Sequence, residues 1–548
     1  MKPELILLNG NFHTQDSQSP RVSAVAVAQG RFLAIGKDHE IRELASRDTQ
    51  IVDLEGRLGF PGMTDAHFHY YDWALGRQKL ALADVADFQD LLERVKTRAQ
   101  ETPPGHWILG QGWNEFDWPE PRMPTRDDLD AVAPAHPVAL WRCDLHLAAV
   151  NSQALERAGI DQNTPNPPDG VIARDASGRP NGILRELAPN LVREVIPNPT
   201  DEDLAATMAD GISVLHSHGL TGLHDIHLMG GLEAAPAFRA WQRLREKGLL
   251  NLRTWVSIPG ERLDEAIALG LKTGFGDDTL RMGHLKYFAD GGMGARTAWM
   301  IEPYLDAEYG MPLASMGALK EAFVRADQAG LAVMIHAIGE RANREVIGVF
   351  EDVFETRVSK GKPGVSAPAV PHRIEHVQMI RPEDVSRLAR LDLTACVQPH
   401  NMILDINMID ACVGPRAAFT YAYRQMIDAG IPVIFSSDAP VCDPRPLVGI
   451  HALVTRQRRD GTPEGGWYPE SRLTVEEAVR GYTLLPAVTH GVGDRLGSIT
   501  PGKYADLVIL DRDIYTVHPM EIVDAQVVMT IFNGQIVYRR DASVMSQN

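Results

Sequence analysis

The chain has 548 residues, 44% of them apolar and 23% charged, with a formal net charge of −18 at pH 7. That length implies roughly two to four domains, or one large barrel with additions. A surface this acidic repels phosphate backbones and argues against nucleic acid, and no apolar run approaches the ~18 residues of a membrane span.

Residues 1–56 read as short strands. Leu5 to Leu8 leads into an Asn9-Gly10 turn, Val22 to Val27 alternates, and Gln29-Gly30 turns into Arg31 to Gly36 as a hairpin. That first apolar run is too short for a secretory signal, so a cytoplasmic address is expected. Residues 496–548 have the same texture, with strands at Ala505 to Leu510, Ala525 to Thr530 and Ile531 to Tyr538. Neither end is large enough to bury a core. Pairing both into one small β-sandwich is the economical solution.

Residues 57–495 change to a rhythm of helix, glycine and apolar strand. Glu321 to Ala329, Gly330 and Leu331 to Ile335 form one such unit; Tyr421 to Ala429, Gly430 and Ile431 to Phe435 form another. An earlier helix, with Phe88, Leu91, Leu92 and Val95 on one face, fits the same scheme. Continuous apolar strands imply burial on both faces and a parallel sheet, and repeated β/α units favour a barrel over an open sheet. No G-x-G-x-x-G or Walker loop follows any strand. The stretch 105–200 interrupts the rhythm with Trp107, Trp113, Phe116, Trp118 and many prolines. It reads as an insertion over the barrel mouth whose aromatics line a pocket, Trp113 among them.

The chemistry sits at strand ends. His67 and His69 are one residue apart, so on an extended strand both imidazoles point the same way and can reach one metal ion. Lys286, His336, His376 and Asp438 each end a later strand. Carboxyl ends of parallel strands open on one face, where barrel enzymes place their reacting groups. The four cysteines, Cys143, Cys396, Cys412 and Cys442, are scattered and form no C-x-x-C pair, so neither a disulfide framework nor a zinc knuckle is expected.

These elements resemble the metal-dependent amidohydrolase superfamily over almost the whole chain: Pro61 to His69, Lys286 with Ala289-Asp290-Gly291, Ile335-His336-Ala337, Glu375-His376 and Ser437-Asp438-Ala439-Pro440. Gly497 to Val508 is similar to the superfamily's return strand into its small β domain. Trp141 to Leu155 and Gly182 to Glu186 resemble the branch containing N-substituted formamide deformylases. The resemblance implies an α/β fold, a (β/α)8 TIM-like barrel, with the terminal β-sandwich and the insertion added. It implies that His67, His69 and Asp438 hold one divalent metal, that His336 and His376 hold a second, and that Lys286 bridges them. A free ammonium cannot ligate a cation, so Lys286 would first capture carbon dioxide as a carbamate. Glu186 is the alternative bridge, because a glutamate needs no modification; otherwise it faces substrate. Zinc suits imidazole and oxygen donors, with iron or manganese as alternatives.

Two metals would acidify a shared water, and Asp438 would take its proton and pass it to the leaving amine. His146 and Arg296 are candidate donors to the carbonyl oxygen. The expected activity is hydrolysis of a C–N bond in a small amide, N-substituted formamide or carbamate, with an apolar N-substituent against the insertion. Ester, lactone or thioester hydrolysis on the same site is the alternative. A metal-free scaffold or regulatory protein on this fold is the alternative of another class. Proteins of this kind often form homodimers, but no interface signature marks one in this chain.

Overall fold

The computed structural model describes residues 2–197, 199–359 and 367–540. Eight parallel strands follow one another in chain order round a barrel. They are β1 Met63–Phe68, β2 Leu220–Asp225, β3 Arg253–Pro259, β4 Leu280–Phe288, β5 Val333–Ala337, β6 His372–His376, β7 Leu393–Val397 and β8 Val433–Phe435. The ring closes at its carboxyl rim. Asp438 donates its N–H to the His67 carbonyl at 2.9 Å, and His69 donates to that of Ala439 at 2.8 Å. The buried Asp65 carboxylate accepts from the Ser437 N–H at 3.0 Å across the same seam.

Strands β5 to β8 are buried along their whole length; β5, β7 and β8 read as largely apolar runs, whereas β6 buries the polar His372, Arg373, Glu375 and His376. Helices cover the barrel, among them Asp201–Ser217, Ala234–Glu246, Met316–Gln328, Glu340–Ser359 and Pro399–Val413. Gly330 and Gly430 end helices with φ of +77° and +83°, a conformation that costs a residue with a Cβ.

The two ends of the chain meet in two sheets. Leu5–Leu8, Ala24–Ala28, Arg31–Gly36 and Gln50–Asp53 make a four-stranded sheet. Asn11–His13, Arg21–Val22 and Leu58–Pro61 join Leu507–Leu510, Val527–Phe532 and Gln535–Arg539 in a six-stranded one. Leu7, Phe12 and Val27 from the amino end share one apolar cluster with Leu507 and Ile531 from the carboxyl end. Each end supplies the apolar face that the other lacks.

A further six-stranded sheet runs from Leu80–Ala81 to Pro180–Glu186. Helix Phe88–Glu101 packs on this sheet, with Phe88, Leu91 and Val95 against Ile108, Trp113, Leu129 and Leu140. It is not one of the barrel's own helices, and the excursion from the barrel begins near Leu80 and not at residue 105. An amphipathic face states that a helix is covered but not which sheet covers it. The four cysteines are free thiols, and no helix among the described residues is long and apolar enough to cross a membrane.

Candidate metal centre

The carboxyl ends of β1, β4, β5, β6 and β8 converge on one cavity of about 40 Å³. His67, His69, Lys286, His336, His376 and Asp438 all line it, with His146 and Glu186 from the insertion. One ligand atom each from His67, His376 and Asp438 lies within 4.8 Å of the others, close enough to share an ion. The His336 ring stands 4.4 Å from that of His376. His376 and Asp438 hold φ of +71° and +61°, a strained backbone that turns both side chains at strand ends.

The His67, His69 and His376 imidazoles are each anchored through Nδ1. His67 donates to Glu375 Oε2 at 2.5 Å, His69 to the Ile226 carbonyl at 2.8 Å, and His376 to Gln398 Oε1 at 2.9 Å. Such bonds fix the tautomer and leave Nε2 as the free lone pair, the usual arrangement of metal-ligating histidine. His336 is tied instead through Nε2 to the Gly291 carbonyl at 3.2 Å, leaving Nδ1.

Electrostatics favour the ligating forms. Burial, reinforced by neighbouring Lys286 and histidines, holds the His67, His336 and His376 imidazoles well below their ordinary range, so all three are neutral. Burial pulls Lys286 down to about 8. Burial would raise Asp438, but His67, His69 and Lys286 outweigh it and hold the carboxyl below its usual value.

The His67 Nε2 and Lys286 Nζ atoms are buried and have no hydrogen-bond partner. Asp438 Oδ1 lies 3.1 Å from His69 Nε2 and 3.4 Å from His67 Nε2, without the alignment of a hydrogen bond. An orphaned buried polar group costs about 1–3 kcal/mol, so three around one cavity are a standing cost that a cation would relieve. The donor set of neutral imidazoles and a carboxylate fits a divalent metal of the zinc type.

Glu186 is fully engaged. Its Oε2 accepts from His146 Nδ1 at 2.7 Å and its Oε1 from the Thr297 hydroxyl at 2.5 Å. Burial lowers His146, but Glu186 outweighs it and raises the imidazole to about 9. Two expected substrate residues lie elsewhere. Trp113 is buried in the core of the insertion, stacked 6.1 Å from Trp118 and donating to the Leu140 carbonyl. Arg296 is clamped to Asp306 at 2.8 Å, away from the cavity lining. Aromatic and cationic residue types do not reveal direction, and both side chains are consumed by local packing.

Glu375, Gln398 and Arg373 went unremarked as functional in the sequence. Arg373 grips both Glu375 oxygens, at 2.8 and 2.9 Å, inside the barrel. A signal was present: an Arg and a Glu two apart on one face of a buried strand must pair with each other or with something essential.

The model of the amidohydrolase family matches residues 50–538. The chain belongs to the amidohydrolase family. Within it, the YtcJ protein of Bacillus subtilis is 30% identical over 97% of this chain and 98% of its own. The N-substituted formamide deformylase of Arthrobacter pascens is 28% identical over 98% and 99%. Among solved structures, an uncharacterized metal-dependent hydrolase from Pyrococcus horikoshii superposes with a TM-score of 0.75, at 26% identity, over 94% of this chain and 99% of that one. Membership in the amidohydrolase family and these neighbours support a hydrolytic enzyme acting on a small molecule and suggest a divalent metal.

Proposed function

We propose that this amidohydrolase cleaves the C–N bond of an amide, an N-substituted formamide or a carbamate. The observation that carries this reading is the convergence of orphaned buried ligand atoms, His67 Nε2, Lys286 Nζ and Asp438 Oδ1, on one cavity. His67, His69, His336, His376 and Asp438 would hold divalent metal, with Lys286 as the bridge after carbamate formation. Glu186 already spends both oxygens on His146 and Thr297, which supports Lys286 over it. Metal bound there would acidify a water and polarise a carbonyl.

The protein's own groups do the rest. An amide nitrogen leaves poorly as an anion, so a proton must reach it as the bond breaks. Asp438, ionised and beside both histidines, receives the proton of the attacking water and delivers it to that nitrogen. His146, with Nδ1 committed to Glu186, offers Nε2 to the cavity as a donor for the carbonyl oxygen. The insertion closes over the mouth and keeps bulk water from the reacting carbon.

The test measures bound metal and turnover together. The protein should bind divalent metal, and His67→Ala with His69→Ala should lose most of it. The metal-loaded enzyme should hydrolyse members of a panel of N-benzyl and N-alkyl formamides and acetamides faster than the esters of the same acyl groups. Protein that neither carries nor rebinds metal overturns the centre. Turnover confined to the esters replaces the bond but keeps the site.

A further inference from the structure

The metal cavity is too small for a substituent of any size, since it and the lobe continuing toward Phe116 measure only about 40 and 70 Å³. A cavity of about 580 Å³ lies next to it, within the ordinary range of small-molecule sites, and Arg193 lines both. This larger space is walled by Trp107 and Trp141 of the insertion and by the segment just after His69.

Its lining balances three cations, Lys79, Arg98 and Arg193, against three carboxylates, Asp72, Glu194 and Glu233, in a protein of net charge −18. Arg193 is paired with Asp72 at 3.2 Å and lies over the Trp141 ring at 5.2 Å. Lys79 lies over the other part of the same wall, 5.1 Å from the Trp141 centroid, bonded to the neutral Gln111 at 3.3 Å. Among the described residues no carboxylate stands within ion-pair distance of Lys79 or Arg98. Of the lining carboxylates, Asp72 meets Arg193 through Oδ1 and leaves Oδ2 buried without a partner, Glu233 accepts from the Leu228 N–H, and Glu194 is exposed. Burial draws the Lys79 ammonium down to about 8, so it still carries its charge at neutral pH. The Trp107 and Trp141 indole N–H groups find no acceptor in the protein. Two cations without a carboxylate partner and two indole N–H groups without an acceptor thus line the cavity, against one buried carboxylate oxygen, Asp72 Oδ2, that also lacks a partner.

We infer that this cavity is the subsite for the substrate's substituent, and that it selects a flat apolar group ending in a carboxylate. The inference rests on the hydrolase reading above for its reacting end. The ring of the substituent lies against Trp107, Leu75 and Leu232, and its carboxylate is met by Lys79 and Arg98, with Arg193 at the boundary with the metal cavity. Charge-assisted hydrogen bonds to a carboxylate are stronger than neutral ones, and partly buried cations lose little of that strength to solvent.

The probes are N-benzylformamide and its para-carboxy derivative, titrated calorimetrically into the metal-loaded enzyme and then assayed for turnover. The carboxylated probe is expected to bind about tenfold more tightly, the size of one good charge-assisted contact. Lys79→Met with Arg98→Met should bring the ratio between the two probes to about one. Arg98→Met alone, on a partly exposed helix face, should lose part of the advantage while keeping the fold, as thermal unfolding reports. Equal binding of the two probes, or an advantage that survives in the double variant, overturns the inference. Carboxylate-dependent binding with no turnover of any amide or formamide would support this cavity and overturn the C–N reading instead.

Discussion

Lys286 is an amine with nothing to bind. It sits inside an apolar strand, buried, without a partner and drawn down to about 8, so a neutral fraction is available to react with carbon dioxide. Protein prepared in isotope-labelled bicarbonate should show a carbamate carbon resonance, and Lys286→Met should abolish it together with most of the metal. Full metal retention in that variant would remove Lys286 from the bridge. Glu375 acts one step back, holding the His67 ring through Nδ1. Glu375→Gln should weaken metal affinity by about 10–100-fold, read by chelator competition. Glu375→Ala should in addition cost about 3–5 kcal/mol of stability, because Arg373 is left buried and unpaired.

At the level of elements, β6 shows how one strand serves two purposes. Arg373 and Glu375 face one way and are paired within the barrel, while Ile374 and His376 alternate with them. The helices around the strands carry packing and not chemistry. Phe350, on helix Glu340–Ser359, is fully buried with its ring 5.1 Å from Phe323 of helix Met316–Gln328. Phe350→Ala should cost about 3–5 kcal/mol in denaturant unfolding and leave metal stoichiometry intact. Loss of metal in that variant would mean the strand ends depend on this outer layer. Strands such as β5 and β8 were legible because burial on both faces writes apolar runs. Helix Phe88–Glu101 was misplaced because its periodicity is the same whether it covers a barrel or an added sheet.

For the whole molecule, one ion pair joins the barrel to the terminal sheets. Arg253 of β3 donates to both oxygens of Asp506, at 2.6 and 2.9 Å, and both groups are nearly buried. Asp506→Ala should destabilise the protein by about 3–5 kcal/mol, since it strands a buried guanidinium. An unchanged Tm would show that the pair adds nothing to the union of the two parts. Metal acts on the same scale. Removing it with a chelator should lower Tm, and restoring it at 100 times Kd should return about 2.7 kcal/mol.

The amino-acid order alone carried the apolar strand rhythm, the sandwich-like texture of both ends, and the six strand-end side chains proposed here as metal ligands. Those are local properties, written by alternation, run length and residue chemistry within a few neighbours. Only the tertiary structure showed that Glu186 is spent on His146 and Thr297, that Trp113 and Arg296 turn away, and that Trp107 and Trp141 line a separate cavity. Direction and partnership depend on which distant segments arrive at the same place, and no window along the chain contains both members of such a pair.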